Sequence, residues 1–282
     1  MTDRVALIGR PLRRRHSEVM HNAAFEHYRI DAHYELRDIG PPDLSAFFAE
    51  VREPGWLGFQ VTAPHKQAVI EYLDRVEDVE VGAVNSGVRE ANGTLVGFNT
   101  DASGFAAAVE SDLGVSLHGV RAVVVGAGGA ARAVVYALLT GGADSVVVAN
   151  RTEERAASIA RDFIDLGEVR TAGLHGAAFE GHLGEAGLAV NATTVGMTTD
   201  TVSFDVALLG EDASVFDLVY VPPDTPLVRA ATRRGLRVAN GLEMLVRQAE
   251  TAFGRWTGIP DAGAVMKSAL TRWVADGSSD GA

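Results

Sequence analysis

The 282-residue chain contains no cysteine. That excludes a disulfide framework, a thiol nucleophile and any thiolate metal site, so zinc-finger and iron–sulfur readings are closed, no metal site is expected, and a reducing cytoplasm is the expected compartment. Positive charge is also scarce: 25 Lys and Arg stand against 37 Asp and Glu, for a net charge of −12. A protein that neutralises nucleic-acid phosphates needs a basic face, so no nucleic-acid partner is expected. Long apolar runs are missing too, and the strand-like Val5-Ala6-Leu7-Ile8 follows the start with no signal-type segment, so neither export nor membrane insertion is expected. There are no internal repeats. What is present is a 47% apolar composition, ample for real cores, in a length that suits two domains. The expected partner is a small molecule, in a monomer or homodimer.

The most informative stretch runs from Val123 to Arg132. Three valines end in Gly126-Ala127-Gly128-Gly129 and pass into the small residues Ala130, Ala131, Ala133 and Ala137, a strand, a tight turn and the start of a closely packed helix. Glycine at 126 lets the turn take backbone angles other residues avoid, and glycine at 128 lets a pyrophosphate approach the main chain at the positive end of the helix. An ordinary strand-to-helix connection can look the same. About twenty residues on, where dinucleotide folds place the ribose-reading residue, the strand Ser145-Val146-Val147-Val148-Ala149 delivers Asn150-Arg151-Thr152, with Arg155 beyond. No acid stands at that strand end. Arg151 and Arg155 can fork onto phosphate oxygens and Thr152 can add a hydroxyl, which favours NADP over NAD; two solvated arginines are the alternative.

The pattern elsewhere predicts an α/β protein. Strands are expected at Val5–Ile8, Tyr34–Leu36, Trp56–Thr62, Val81–Val88 and Leu95–Phe98, with helices from Val19 to Tyr28, Asp43 to Val51, Ala68 to Leu73 and Gly104 to Asp112. The second half alternates strand and helix like a doubly wound sheet: helix Ala156–Leu166, strands Val169–Thr171, Gly187–Val190 and Ser214–Tyr220, helix Thr225–Arg234, strand Leu236–Ala239. Two last helices, Gly241–Thr257 and Asp261–Val274, have no strand to alternate with and are expected to pack back on the first half. The expected fold is thus two domains: residues 1–101 form an N-terminal α/β substrate domain completed by 241–275, residues 102–240 form a Rossmann-type NADP-binding domain, and 276–282 form a disordered tail.

Hydride transfer from an alcohol needs a group to take the hydroxyl proton and, in reverse, to give it back. Lys66, after the strand that stops at Ala63-Pro64, and Asp101, at the junction of the halves, are the candidates, with Asn85 and Gln248 as hydroxyl-holding amides. A Lys and an Asp in hydrogen-bond reach would hold each other's orientation. From spacing alone, a surface ion pair is the alternative. The basic cluster Arg13-Arg14-Arg15-His16-Ser17 is either a solvated face or a hold for an anionic group.

At this level of detail the chain resembles the shikimate dehydrogenase family over nearly its whole length. Gly9-Arg10-Pro11 with His21-Asn22 matches the family's first-strand motif in spacing, Val61-Thr62-Ala63-Pro64-His65-Lys66 its V-T-x-P-x-K, Gly82-Ala83-Val84-Asn85 its G-A-x-N, and Gly97-Phe98-Asn99-Thr100-Asp101-Ala102-Ser103-Gly104 its G-x-N-T-D-x-x-G. Gly126-Ala127-Gly128-Gly129-Ala130, Asn150-Arg151-Thr152 with Arg155, Asn191 to Met197, Asp217-Leu218-Val219-Tyr220 and Gly241 to Ala249 complete the set in order. The resemblance implies reversible, NADP-dependent oxidation of a ring hydroxyl in shikimate-like acids, shikimate being the default. Lys66 and Asp101 become the proton-transfer pair, and Thr62, Asn85, Gln248 and Tyr220 face the substrate. The cofactor contacts fall on the turn Gly126 to Ala130, on Asn150, Arg151, Thr152 and Arg155, and on Thr193 and Gly241. Met197 and Met244 line the nicotinamide side, with core methionines as the alternative.

One departure bears on the substrate. Before His21-Asn22 the family reads H-S-x-S-P, whose two serines hold the substrate carboxylate; this chain has Arg14-Arg15-His16-Ser17-Glu18. Ser17 is retained, Arg15 replaces the first serine and Glu18 the proline. A guanidinium can bind a carboxylate bidentately, but it changes the shape and polarity of the pocket. Gln60, where the family usually has Asn, is a smaller change. Two alternatives stay open: a quinate or aminoshikimate dehydrogenase, and an NADPH-binding regulator without turnover, which would have no need of Lys66 and Asp101.

Overall fold

The structure, a computed structural model, describes residues 2–12 and 14–276. Arg13 of the basic cluster and residues 277–282 of the expected tail lie outside the described residues. Asp276, expected to begin that tail, caps the last helix through its N–H on the Arg272 carbonyl. The chain divides into two compact units, one comprising the chain up to Thr100 and again from Val246, the other Asp101–Leu245.

The first unit begins β1 (Asp3–Gly9), α1 (His16–Tyr28), β2 (Ala32–Asp38), α2 (Leu44–Val51), β3 (Trp56–Val61), β4 (Arg75–Val76), β5 (Ser86–Arg89) and β6 (Leu95–Phe98). Its six-stranded sheet has the order β2-β1-β3-β5-β6-β4. β1 runs parallel to β2 and β3, while β5 runs antiparallel to β3 and β6. Phe47, Phe48 and Val51 of α2 fill the core against Ile8, Phe59 and Val61, as apolar residues at helical spacing should. Because Ile8 and Val61 are in register, the turn after β1 and the residues after β3 leave the sheet at one edge, where Thr62 donates its N–H to the Ile8 carbonyl at 2.8 Å.

Two expectations are corrected here. The Ala68–Leu73 helix is a single 3-10 stretch, Ala68–Tyr72. The strand expected from Val81 begins only at Ser86, because Val79–Val81 forms a 3-10 turn and Gly82 takes a left-handed φ of 62° that interrupts the extended chain.

The second unit opens with α3 (Asp101–Ala108), which starts before the expected Gly104 and runs on as a π-helical turn, Val109–Leu113. Then follow β7 (Arg121–Val125), α4 (Gly129–Thr140), β8 (Ser145–Ala149), α5 (Glu153–Asp162), β9 (Val169–Ala172), α6 (Ala177–Glu185), β10 (Leu188–Asn191), β11 (Ser214–Asp217), α7 (Pro226–Arg233) and β12 (Arg237–Asn240). The sheet order is β12-β11-β10-β7-β8-β9, parallel throughout. Counted from β7 this is the doubly wound order, and its switch point, where ligands bind in such sheets, lies between β7 and β10. α6 was not expected: Ala177–Glu185 carries two glycines and buries only Phe179 and Leu183, too little for a helical period. The strand expected to reach Tyr220 ends at Asp217, whose carboxylate accepts the Val219 N–H at 3.1 Å and turns the chain.

The chain leaves the second unit within α8 (Leu242–Thr257) and ends in α9 (Gly263–Ala275). α9 packs on α1, and the Trp256 indole donates to the Gly87 carbonyl at 3.0 Å. No helix among the described residues is long and apolar enough to cross a membrane.

Candidate active site

In the first unit the candidate residues gather at the edge where β1 and β3 end. Lys66 is half-buried in the loop after β3. Its carbonyl accepts the Val84 N–H at 2.8 Å, and the preceding His65 donates its N–H to the Thr62 carbonyl at 3.0 Å, so the loop is pinned at both ends. Asn85, next to Val84, is buried and bonded in three directions. Its carbonyl receives the Val61 N–H at 2.8 Å, its Nδ2 donates to Thr100 Oγ1 at 2.9 Å, and its Oδ1 accepts the Thr100 N–H at 2.8 Å. One short segment, Val84-Asn85, therefore holds the main chain of Lys66 and also the residue before Asp101. Asp101 itself is buried at the first position of α3.

Gln248, buried on α8, joins the same cluster. Its Oε1 accepts from Gln60 Nε2 at 3.0 Å and from Thr100 Oγ1 at 3.4 Å. Behind it lie residues that the sequence reading left without a role. Gln60 is 3% exposed; its Nε2 also donates to Ser86 Oγ at 3.2 Å, and its Oε1 accepts the Tyr34 hydroxyl at 2.5 Å. Asn22 clamps the Tyr34 main chain by donating to its carbonyl and accepting its N–H. His21 stacks on the Tyr34 ring at 4.5 Å. Burial pushes the His21 imidazole down to about 3, with the Gln60 side chain acting weakly against this, so the ring is neutral at physiological pH. The His21-Asn22 pair was visible in the sequence as a motif, but its service to Tyr34 was not.

Ser17 lies half-buried in the first turn of α1, and Arg15 is exposed just before it. Arg15 Nε donates to Glu18 Oε2 at 2.6 Å. The two departures from the family pattern thus form an ion pair with each other.

In the second unit the turn between β7 and α4 lies at the switch point. Gly126 has φ +121°, and a Cβ there would stand 2.7 Å from the Ala192 carbonyl oxygen at the end of β10. Gly128, the residue before α4, caps the helix without a side-chain bond and has no atom within 4 Å of where its Cβ would stand. The helix N-terminus therefore opens onto free space, an arrangement that favours an anion. Val125 and Ala149 are in register, which sets Asn150-Arg151-Thr152 beside this turn. Asn150 Nδ2 closes the corner on the Thr152 carbonyl at 2.8 Å. Arg151, Thr152 and Arg155 are exposed, and among the described residues neither arginine forms an ion pair.

Between β10 and β11 lies a buried carboxylate. Asp217 accepts from Asn191 Nδ2 at 2.8 Å, from the Val219 N–H at 3.1 Å and from Thr225 Oγ1 at 2.6 Å. Burial pushes its pKa up, while the bonds from Thr225, Val219 and Asn191 pull it down. Asn191 Oδ1 accepts in turn from Thr193 Oγ1 at 2.7 Å. The loop of Thr193 and Met197 and the loop of Tyr220 are thus tied to one buried carboxyl group. Met197 and Tyr220 are half-buried, Gly241 is buried just before α8, and Met244 is buried at 7% exposure.

The family model of the shikimate dehydrogenase substrate binding domain matches residues 7–86, and that of shikimate / quinate 5-dehydrogenase matches residues 107–195. A curated shikimate dehydrogenase (NADP(+)) of Moorella thermoacetica is 41% identical, over 99% of this chain and 96% of its own. The chain belongs to the shikimate dehydrogenase family. Among solved members, a shikimate 5-dehydrogenase from Thermus thermophilus in complex with NADP(H) and shikimate is 38% identical, with 96% of this chain and 99% of that one covered and a TM-score of 0.85. A quinate dehydrogenase from Corynebacterium glutamicum in complex with NAD is 33% identical, over 96% of this chain and 99% of that one, with a TM-score of 0.87. The named relatives thus include a shikimate and a quinate dehydrogenase, one solved with NADP(H) and the other with NAD.

Proposed function

We propose that this shikimate dehydrogenase family member is an NADP-dependent oxidoreductase that interconverts shikimate and 3-dehydroshikimate. The observation that carries the reading is the Val84-Asn85 segment, which binds the Lys66 main chain on one side and Thr100, the neighbour of Asp101, on the other. Together with the Thermus relative's bound NADP(H) and shikimate, it supports Lys66 and Asp101 as a proton-transfer pair.

The residues present fit the cofactor. The open space beside Gly128 suits a pyrophosphate, and the exposed Arg151, Thr152 and Arg155 suit a 2′-phosphate that an acid at this strand end would repel. Gly126, Ala127, Gly129, Ala130 and Asn150 would complete the cradle, with Thr193, Met197, Gly241 and Met244 toward the nicotinamide. Bound NADP would supply the acceptor for the hydride leaving the carbinol carbon. The chain's own part is the proton. Lys66 Nζ takes it from the ring hydroxyl during oxidation and returns it during reduction, with Asp101 as its partner in the pair. Thr62, Asn85, Tyr220 and Gln248 hold the ring hydroxyls, while Ser17 and Arg15 face the ring carboxylate.

The test is formation of reduced nicotinamide by the purified protein with NADP+ and shikimate, quinate or amino-substituted relatives. Turnover of shikimate is expected; a protein that binds NADP+ and oxidises none of these rings would be a regulator instead. The Arg15–Glu18 pair in the carboxylate-binding stretch favours a second reading, preference for quinate or aminoshikimate, which the same panel resolves.

A further inference from the structure

At the carboxyl edge of the second unit's sheet, two neighbouring strands end in the same way. Asn191 closes β10, Asp217 closes β11, and the two are in register. Each side chain accepts the N–H of the residue two places on: Asn191 Oδ1 from Thr193 at 3.1 Å, Asp217 Oδ1 from Val219 at 3.1 Å. These are Asx turns. Asn191 Nδ2 then donates to Asp217 Oδ1 at 2.8 Å and joins one turn to the other. Main-chain groups fix the direction of that bond. The Thr193 N–H can only donate, and the Val195 carbonyl, 3.2 Å from Asn191 Nδ2, can only accept, so the Asn191 amide has one orientation. Both residues are 0% exposed, where a polar group is costly unless it is bonded.

What the tie joins is two loops. The first lies on the glycine turn: a Cβ at Gly126 would stand 3.0 Å from the Thr193 methyl and 2.7 Å from the Ala192 carbonyl oxygen. The second leads from Val219 into Tyr220. We propose that Asn191 and Asp217 are a positioning pair, whose side-chain bond sets the loop of Thr193 and Met197 and the loop of Tyr220 as one unit for hydride transfer. The inference rests on the function proposed above and deepens it, since these are the loops proposed to face the nicotinamide and the ring. Buried as they are, neither residue meets a ligand itself; both act through the loops they hold.

Serine at either position cuts the tie and spares the turn, because its hydroxyl can accept the N–H two residues on but is too short to reach the opposite side chain. The rate constant for hydride transfer to saturating NADP+ is read from nicotinamide absorbance in single turnover with enzyme in excess over shikimate, a quantity that a smaller folded fraction does not alter. Asp217→Ser and Asn191→Ser are each expected to lower it about hundredfold, the consequence of misplacing a reacting group by about 1 Å. Because both remove the same bond, the double variant should also lose about hundredfold rather than the product of two losses. Asp217→Asn keeps an oxygen for Asn191 and Val219 and turns its NH2 to Thr225 Oγ1, so it should stay within about threefold of the wild type. If one serine variant does not fold, the other still cuts the tie from its own side. An unaltered rate constant in the serine variants would overturn the proposal, as would losses that multiply in the double variant. If the wild type oxidises no ring, the proposed function is wrong, and amide hydrogen exchange of residues 192–197 and 218–221 then decides the tie. Exchange should quicken in both loops in either serine variant and not in Asp217→Asn; quickening confined to the substituted loop would count against the pair.

Discussion

Both units carry a six-stranded sheet, yet their candidate ligand-binding groups are held in opposite ways. The second unit uses main chain and surface: a glycine turn at a parallel switch point, an open helix N-terminus and two exposed arginines. The first uses buried side chains, an amide network closed only when α8 returns from the other end of the chain to bring Gln248 to Gln60, 188 residues away. Cofactor cradles tolerate exposure because charge and backbone N–H groups attract phosphate without exact side-chain placement. Reading ring hydroxyls needs donors and acceptors fixed in direction, and burial with full hydrogen bonding is what fixes them.

Lys66→Ala makes that division sharpest. A general acid–base group supplies a factor of about 10²–10⁴, so turnover should fall by that amount while affinity for NADP+, proposed to belong to the other unit, stays near the wild-type value. Rate measurements beside cofactor titration check this. A comparable loss of NADP+ affinity would break the division of labour.

The next effect belongs to the first unit alone. The folded-state pKa of His21 is about 3 against 6.5 for the free side chain. Between those values the unfolded chain binds a proton that the folded chain refuses, so stability is complete above pH 6.5 and is lost as pH falls toward 3. By pH 4.5 the loss is about 3 kcal/mol. Denaturant unfolding at pH 7.5 and 4.5 should show it, and His21→Phe, which keeps a ring but cannot titrate, should remove most of the difference.

Arg151→Asp tests the opposite side. It removes charge-assisted bonds and adds repulsion, so NADP+ affinity should fall about tenfold to hundredfold and NAD+ affinity far less. Equal losses would show that Arg151 does not read the 2′-phosphate.

These contrasts also explain what the sequence could reveal. Parallel strands buried on both faces read as continuous valine runs, which is why β7, β8 and the turn at Gly126 were legible, as was the absence of an acid beside Asn150. Lys66, Asp101, Asn85 and Gln248 were legible as motif members. The Tyr34–Gln60–Ser86 support behind them was not, because a buried polar residue in a strand looks the same whether it bonds a neighbour or a side chain from a distant helix. Asp217 stood in view only as a strand residue and the first of the motif Asp217-Leu218-Val219-Tyr220. Its bonds to Asn191 and Thr225 follow from the parallel order of β10 and β11 and from the chain doubling back into α7, and local pattern reports neither. α6 was lost for the opposite reason, a helix held by two apolar residues among glycines.

The smallest expected effect falls on Arg15, at the one stretch where chain and family pattern part. An exposed ion pair adds about 0–1 kcal/mol at most, and the Arg15 side chain is 63% exposed, so Arg15→Ser should leave the melting temperature nearly unchanged. Its effect should appear in KM. With Arg15 gone, Glu18 loses the guanidinium that neutralises it and presents a negative charge one residue from Ser17, where the ring carboxylate is proposed to bind. KM for shikimate should then rise at least about threefold, because the Glu18 side chain is only 17% exposed and solvent screens it poorly. Arg15→Ser combined with Glu18→Gln should recover only part of that loss, because the proposed contact of Arg15 with the carboxylate is still missing. A single variant that lowers KM instead would mean that the arginine obstructs the acid rather than shielding it from Glu18, and the preference for rings other than shikimate would follow from that obstruction.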